Sequence, residues 1–479
     1  MPLFFACLVA LFLFAAVAGL SGSIAIAAPV ALLAAVASAV AWKRFVRSPA
    51  PASSSRALVI ASGIAVVAAV IVLGRLTIFI VDPSRTGYSV VPGSEWEVRH
   101  SCVTAYYVAA DVVRGVPNVY DLAIYAAPDD DPRLPRKPRL MGLFRIDQYE
   151  YPPTFLLLPR ALQALLPDFL RLRMVWFGLN GLIVLIGLVV VARNLRGDAA
   201  GIAALLVPFV FVSIITLNTL QKGNVQLAVI AASMIAMVLV ERKHAAAGGA
   251  LLAVVTMAKL YPGLLVFYLL VRREWRAVLW AGGFSLVLLV VTLIDVGWQP
   301  FVAFREHFSS LLSGEAFPAF RNPMAIAINH SIPGLVFKLK LFGVDGGGFE
   351  AARIVGTIYM LAAVGLTIVL ARRNVRDEQK PLVWMAILIL ATLRSPFLPQ
   401  SYAPFPAIWL LTLLFATAPP ERRSLSYFLV AFLVLNIFLP VDSGIDPRVV
   451  ALIATIPQVL TIALAALVFG VVRRPEPRT

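Results

Sequence analysis

Residues 246–257 and 260–271 form two apolar runs, each too short to cross a bilayer, and Lys259 lies between them. An ionisable side chain at membrane depth is costly and by default marks a functional place. A lysine there can neutralise a phosphate; the alternative is a chain that snorkels to the nearby surface. Arg394, directly before Ser395-Pro396-Phe397-Leu398-Pro399-Gln400, stands at another helix end and carries the same two readings. Arg75 reads as an interfacial anchor.

Glu95, Trp96, Glu97, Arg99 and His100 put acids, an aromatic plane and cations into six residues, a grouping that suits a sugar or forms a solvated charge cluster. The same polar stretch holds Asp82, Asp111, Asp121, Asp129, Asp130, Asp131, Asp147 and Glu150, any one of which is a candidate general base. The Asp129–Asp131 triplet, set among prolines and basic residues, reads as a solvated loop, with metal binding as the lesser alternative. Asn224 and Gln226 open an apolar run, where their amides can bind a polar ligand or Asn224 can cap the helix. Glu150-Tyr151-Pro152-Pro153 opens another short run. Proline is ordinary at a first helical position, and the acid and aromatic beside it can also position a substrate. His330, in Asn329-His330-Ser331, is either structural or a phosphate contact. No phosphate-binding glycine loop, H-E-x-x-H or dinucleotide fingerprint occurs. The two cysteines, Cys7 and Cys102, form neither a disulfide framework nor a Cys/His metal pattern, so no metal and no cofactor is expected.

The elements that must hold these residues are membrane helices. Of 479 residues, 60% are hydrophobic and 14% are charged, against about a quarter charged in soluble domains. A soluble globule is excluded. A crossing takes about 20 apolar residues. Runs near 2–20, 24–42, 57–80, 172–192, 200–217, 224–240, 277–296, 352–371, 381–394, 402–417, 424–440 and 448–472 are read as spans, the first with a cleaved signal peptide as its alternative. With the two half-length runs this predicts an all-α polytopic protein of about 12–14 membrane helices. The net charge of +16 is what basic loops against anionic lipid produce, and nucleic acid is not expected as a partner.

Lys and Arg mark the cytoplasmic side. Lys43, Arg44 and Arg47 fall on one side with Arg193, Arg196, Arg242, Lys243, Arg272, Arg273, Arg276, Arg372, Arg373, Arg376, Arg422, Arg423, Arg473 and Arg474. Both termini are then cytoplasmic, Lys259 is near the outer surface, and two long polar segments, 81–171 and 298–351, are outside. Within the first, 103–114 reads as a helix on the membrane and 153–166 as a re-entrant or interfacial helix.

The ordered motifs resemble glycosyltransferase family 87. Tyr106-Tyr107, Ala109-Ala110, Gly115 and Tyr120 look like its first-loop pattern, and Tyr151-Pro152-Pro153 with Leu156-Leu157-Leu158-Pro159 its Y-P-P segment. Gly223-Asn224-Val225-Gln226-Leu227 resembles a G-Q-x-N-L stretch with the amides exchanged. Ala258-Lys259-Leu260-Tyr261-Pro262 with Arg272-Arg273-Glu274-Trp275-Arg276 resembles its K-x-x-P and R-R-x-W-R hairpin. Asn329-His330-Ser331 is similar to N-Q-S, and Ser395-Pro396 to a late S-P. Two departures stand out. Cys102 occupies the place where the family usually carries an aspartate, the expected catalytic base, and Gln400 and Tyr402 stand where it usually carries a histidine. An insertion near 126–148 also lengthens the first loop.

The resemblance implies a C-type glycosyltransferase architecture, with N-terminal membrane helices over 1–56, the enzymatic core over 57–420 and C-terminal helices over 421–479. It implies a plasma-membrane enzyme that moves a mannose-like or arabinose-like sugar from polyprenyl phosphate to a hydroxyl of a lipid or polysaccharide acceptor at the outer face, with inversion. On that reading Glu97, Glu95 or Asp111 is the base, and Lys259, Arg394 and His330 meet the donor phosphate. Trp96, Tyr106, Tyr151, Asn224 and Gln226 line the substrate. The competing readings are a non-catalytic relative that binds polyprenyl phosphate and a lipid or sugar transporter.

Overall fold

The computed structural model describes residues 1–45, 55–127, 137–344 and 346–472. Asp129–Asp131, Arg47, Arg473 and Arg474 lie outside the described residues. The chain divides into two compact units, one of residues 1–149 with 155–231 and the other of 150–154 with 232–479.

In the first unit the helices are α1 (Pro2–Ser21), α2 (Ile24–Phe45), α3 (Arg56–Val81), α4 (Glu95–Arg99), α5 (Val103–Val112), α6 (Leu122–Tyr125), α7 (Leu157–Leu165), α8 (Phe169–Asn194), α9 (Gly197–Val212) and α10 (Ile214–Lys222). Helix α1 packs on α2, α3 and α8. The α1–α8 approach needs glycine: a Cβ at Gly178 would lie 2.5 Å from the Phe12 carbonyl oxygen, and one at Gly181 would lie 2.2 Å from the Phe12 ring. Small residues let membrane helices approach closely, because packing rather than water exclusion drives their association. Helices α9 and α10 are bent by 59° about Ser213, the geometry of a broken span or a re-entrant loop.

Between α3 and α8 lies a small sheet. Strand β1 (His100–Ser101) pairs in parallel with β5 (Phe144–Ile146), which pairs antiparallel with β4 (Leu140–Met141); β2 (Ala126–Ala127) and β3 (Lys137–Pro138) form a separate ladder. The register sets His100 opposite Arg145 and Ser101 opposite Ile146, so the next residues along, Cys102 and Asp147, also come together. Thr104 fixes this corner. Its hydroxyl donates to the carbonyl oxygens of Ser101 and Arg145, at 2.6 and 3.1 Å, and accepts from the Asp147 amide at 3.0 Å.

Helix α11 (Gln226–Glu241) runs from the first unit into the second. There follow α12 (Ala245–Ala258), α13 (Gly263–Val271), α14 (Trp275–Val296), α15 (Gln299–Ser313), α16 (Pro323–Ala327), α17 (Leu335–Leu341), α18 (Phe349–Arg372), α19 (Lys380–Thr392), α20 (Phe405–Thr417), α21 (Leu425–Leu435) and α22 (Pro447–Val471). Helix α19 is the buried centre of this unit, packed by α13, α18, α20 and α22. As expected, α12 and α13 are two short helices with Lys259 where they part.

The fold is mostly helical and multi-pass, the short strands of the first long polar segment aside. Among the described residues six helices are long and apolar enough to cross a membrane, seven counting α9 with α10 as one span. Shorter apolar helices, α11, α12, α20 and α21 among them, take up further runs read from the sequence.

Candidate functional site

In the second unit, α12 ends at Lys259, whose Nζ lies 5.2 Å from the centre of the Tyr151 ring and 5.4 Å from that of Tyr402. Cation–π contact at that range holds an ammonium group with about 0.5–2 kcal/mol. The Tyr151 segment is tied to the end of α12 by Thr154, whose hydroxyl donates to the Met257 carbonyl at 2.6 Å. Beside Tyr151, a Glu150 carboxylate oxygen is 3.0 Å from His307 Nε2 on α15, with both side chains largely buried. Burial raises the Glu150 carboxyl above its ordinary value, and the hydrogen bond and charge of His307 only partly offset this. Among the described residues its second oxygen, Oε1, is buried and finds no hydrogen-bond partner, nor does the Tyr261 hydroxyl. A cation, two aromatic faces and a carboxylate with one unengaged oxygen thus belong to one short stretch and its neighbours.

The Asn329-His330-Ser331 and Ser395–Gln400 segments form a second framework in this unit. Asn329 Nδ2 and Ser331 Oγ both donate to the Pro396 carbonyl, at 3.0 and 2.7 Å, and Asn329 Oδ1 accepts from Leu398 N at 2.9 Å. Arg394 is half-buried against Gly356, where a Cβ would lie 3.0 Å from its Cζ, and its buried Nη1 finds no hydrogen-bond partner among the described residues. His330 is 1% exposed. Burial first, and Lys338 second, hold it well below its ordinary pKa. It is neutral at physiological pH, so a phosphate contact from it would be an uncharged hydrogen bond.

In the first unit the α4 residues separate. Glu97 is buried, with its carboxylate 2.7 Å from Lys222 Nζ and accepting from Asn218 Nδ2 at 2.8 Å. Both partners lie on α10, the second helix of the bent pair, which Gly223 ends in a left-handed turn at φ 69°. Removing one member of a buried pair leaves an uncompensated charge, at about 3–5 kcal/mol. Lys222→Met should therefore lower the thermal midpoint of the detergent-solubilised protein sharply, and Lys222→Met with Glu97→Gln should recover most of the loss. Equal midpoints in the two variants would show that the pair carries no such strain.

Glu95 is 64% exposed, near Arg99 at 3.3 Å and Arg145 at 4.0 Å. Asp111 is exposed on α5. Tyr106 is fully buried between Phe155 and Trp176, with ring centres 4.9 and 5.3 Å away. Trp96 lies under the Arg145 guanidinium, 5.0 Å from ring centre, and beside His100. Asn224 Oδ1 accepts from Gln226 N at 2.9 Å, capping α11, and its Nδ2 donates to Cys102 Sγ at 3.5 Å. Gln226 is buried.

The sheet corner gathers His100, Cys102 and Asp147. His100 Nε2 is 3.2 Å from Asp147 Oδ2 and 3.6 Å from Cys102 Sγ. Burial pushes the Asp147 carboxyl up to about 7 and, with Lys222 and Arg145 adding repulsion, holds His100 well below its ordinary value. The contact is therefore a hydrogen bond of a neutral imidazole rather than an ion pair. From the sequence, Asp147 stands only among the acids of the segment, Glu150 also as the acid beside Tyr151 that can position a substrate, and His307 is passed over. A separation of 157 residues for His307–Glu150 leaves no local pattern to read.

The model of Glycosyltransferase family 87 matches residues 149–398, over half of the chain. The matched stretch holds Glu150, Tyr151, Lys259, His330 and Arg394 and leaves out the sheet corner. No curated protein matches. The crystal structure of ArnT from Cupriavidus metallidurans in the apo state is similar at 17% identity over 78% of this chain and 75% of that one, with a TM-score of 0.27, too loose a likeness to bear on the fold or the site.

Proposed function

Because this chain belongs to glycosyltransferase family 87 and is a multi-pass membrane glycosyltransferase, we propose that its donor is a polyprenyl-phosphate sugar, mannose-like or arabinose-like. The acceptor is a hydroxyl of a lipid or polysaccharide at the outer face of the plasma membrane, with both termini cytoplasmic. The core at 57–420 carries the reaction. The observation that supports this most is the Lys259 ammonium held over Tyr151 and Tyr402, next in sequence to the Glu150–His307 pair.

The reaction breaks the bond between the anomeric carbon and the phosphate oxygen, and the phosphate leaves with the electron pair and added charge. Lys259 is placed to stabilise that charge, which is the kind of interaction that lowers a barrier most. Arg394 is the second cation, and His330 offers a neutral Nε2–H. The acceptor hydroxyl attacks from the opposite face, inverting the carbon, and loses its proton to a carboxylate. We assign that base to Glu150 in place of Glu97, Glu95 and Asp111. Glu97 is already paired with Lys222, and Glu95 and Asp111 are exposed, outside the Lys259 stretch. Tyr151 and Tyr402 offer faces to the sugar. Tyr106 packs, Asn224 and Gln226 shape the start of α11, and Trp96 serves the first unit.

The test supplies membranes carrying the protein with polyprenyl-phosphate sugar labelled in the sugar, over a panel of hydroxyl acceptors. Label in a new glycoside with inverted configuration is expected. Cys102, standing where the family usually has an aspartate, favours a second reading, a relative that binds the lipid without turnover. Saturable donor binding with no product over the whole panel would establish that reading, and label crossing the membrane unchanged would establish a transporter.

A further inference from the structure

Two of the three donor-to-donor edges at the sheet corner, both from His100, lie close to the spacing of metal ligands. A tetrahedral zinc ion, with bonds of about 2.0–2.3 Å to nitrogen, oxygen and sulfur, needs donor-to-donor edges of about 3.3–3.8 Å. The His100–Asp147 edge is 3.2 Å and the His100–Cys102 edge is 3.6 Å, and all three donor atoms lie within 4.8 Å of one another. The scaffold sets this spacing from both sides. Parallel pairing of β1 with β5 brings the two strand ends level, Thr104 holds the Asp147 amide, and the Cys102 amide donates to the Lys222 carbonyl at 2.8 Å.

The surroundings suit a thiolate and a cation. Cys102 is the residue from which α5 starts, where a helix favours negative charge, and Asn224 Nδ2 donates to its sulfur. Lys222 is paired with buried Glu97, and Arg145 lies 4.0 Å from Glu95, so their repulsion of a bound cation is reduced rather than removed. A thiolate and a carboxylate then supply two negative charges for a divalent ion. One sulfur, one imidazole and one carboxylate select zinc-class ions over magnesium or calcium, which prefer all-oxygen shells. Three protein ligands leave a fourth position for water or another oxygen, the pattern of an open zinc site.

We propose that His100 Nε2, Cys102 Sγ and the Asp147 carboxylate together bind one zinc-class divalent ion with an open fourth position. The proposal does not depend on the sugar-transfer reading, and its test does not involve turnover.

Full-length protein in detergent, reduced and stripped with chelator, is titrated with Co²⁺. One equivalent should bind with a sulfur-to-cobalt charge-transfer absorption, displaced by Zn²⁺. Cys102→Ser should abolish that band and Cys7→Ser should keep it. His100→Gln and Asp147→Asn should each weaken binding by at least about tenfold, an estimate from the share one ligand carries in such sites. Cobalt bound without the sulfur band, a band that survives Cys102→Ser, or no stoichiometric binding would each overturn the proposal. If Cys102→Ser cannot be purified, zinc-edge X-ray absorption of the zinc-loaded wild-type protein decides: one sulfur at about 2.3 Å supports the site, and none rejects it.

Discussion

Lys259→Met should lower kcat for sugar transfer by about 10²–10³-fold in a protein whose thermal midpoint and elution from size exclusion stay near wild type. The ammonium lies over two tyrosine rings, at the break between α12 and α13, and in the proposed role it gains most from meeting a phosphate as that phosphate takes on charge. An interaction that strengthens in the transition state shows in kcat more than in KM. Lys259→Arg keeps the charge but spreads it over a planar fork, so it should recover part of the rate and not all of it. A lysine that merely snorkels predicts the opposite pattern: turnover per folded molecule unchanged in Lys259→Met, with any loss confined to yield.

The second large effect belongs to Glu150. General-base catalysis contributes about 10²–10⁴-fold, and Glu150→Gln should lose that much while leaving donor binding intact. The pH profile separates this from a structural loss. Burial raises the Glu150 carboxyl above the ordinary carboxylate range, and the base acts only when ionised. Activity should therefore fall as pH drops through that raised value, giving an acid limb displaced upward from where an exposed glutamate would put it. In Glu150→Gln the limb should vanish from the residual rate. The linkage runs the other way for stability: with its folded pKa raised, this group stabilises the fold fully below its unfolded pKa, and the contribution is lost as pH rises through the folded one. A wild-type acid limb retained in Glu150→Gln would remove Glu150 as the base.

Much of the fold was legible because hydrophobic length is a one-dimensional signal. The runs at 57–80, 172–192, 277–296, 352–371 and 448–472 became α3, α8, α14, α18 and α22 with shifts of a few residues at their ends. The half-length runs around Lys259 were legible for the same reason. The bend at Ser213 was not, since neither glycine nor proline stands at that residue to announce it. The site was legible only where its residues are neighbours in sequence. Lys259 and Tyr151 stood out as a charge between apolar runs and an aromatic before a double proline. Glu97 also stood out, yet its partners on α10 are more than a hundred residues away, and pairing with Lys222 turned an apparent reactive acid into an internal counter-ion. His307–Glu150 and His100–Asp147 depend on packing and strand register, which composition and spacing do not encode.

Parallel pairing of β1 with β5 has a consequence for how such chains diverge. The connection between the strands can lengthen with little penalty, because the entropy of closing a loop grows slowly with its length, while the pair itself keeps its alignment. A carboxylate brought in just past the end of either strand then reaches the same point in space. Reading the residue after β1 alone finds Cys102 and no acid, while Asp147, after β5, brings a carboxylate to within reach of His100.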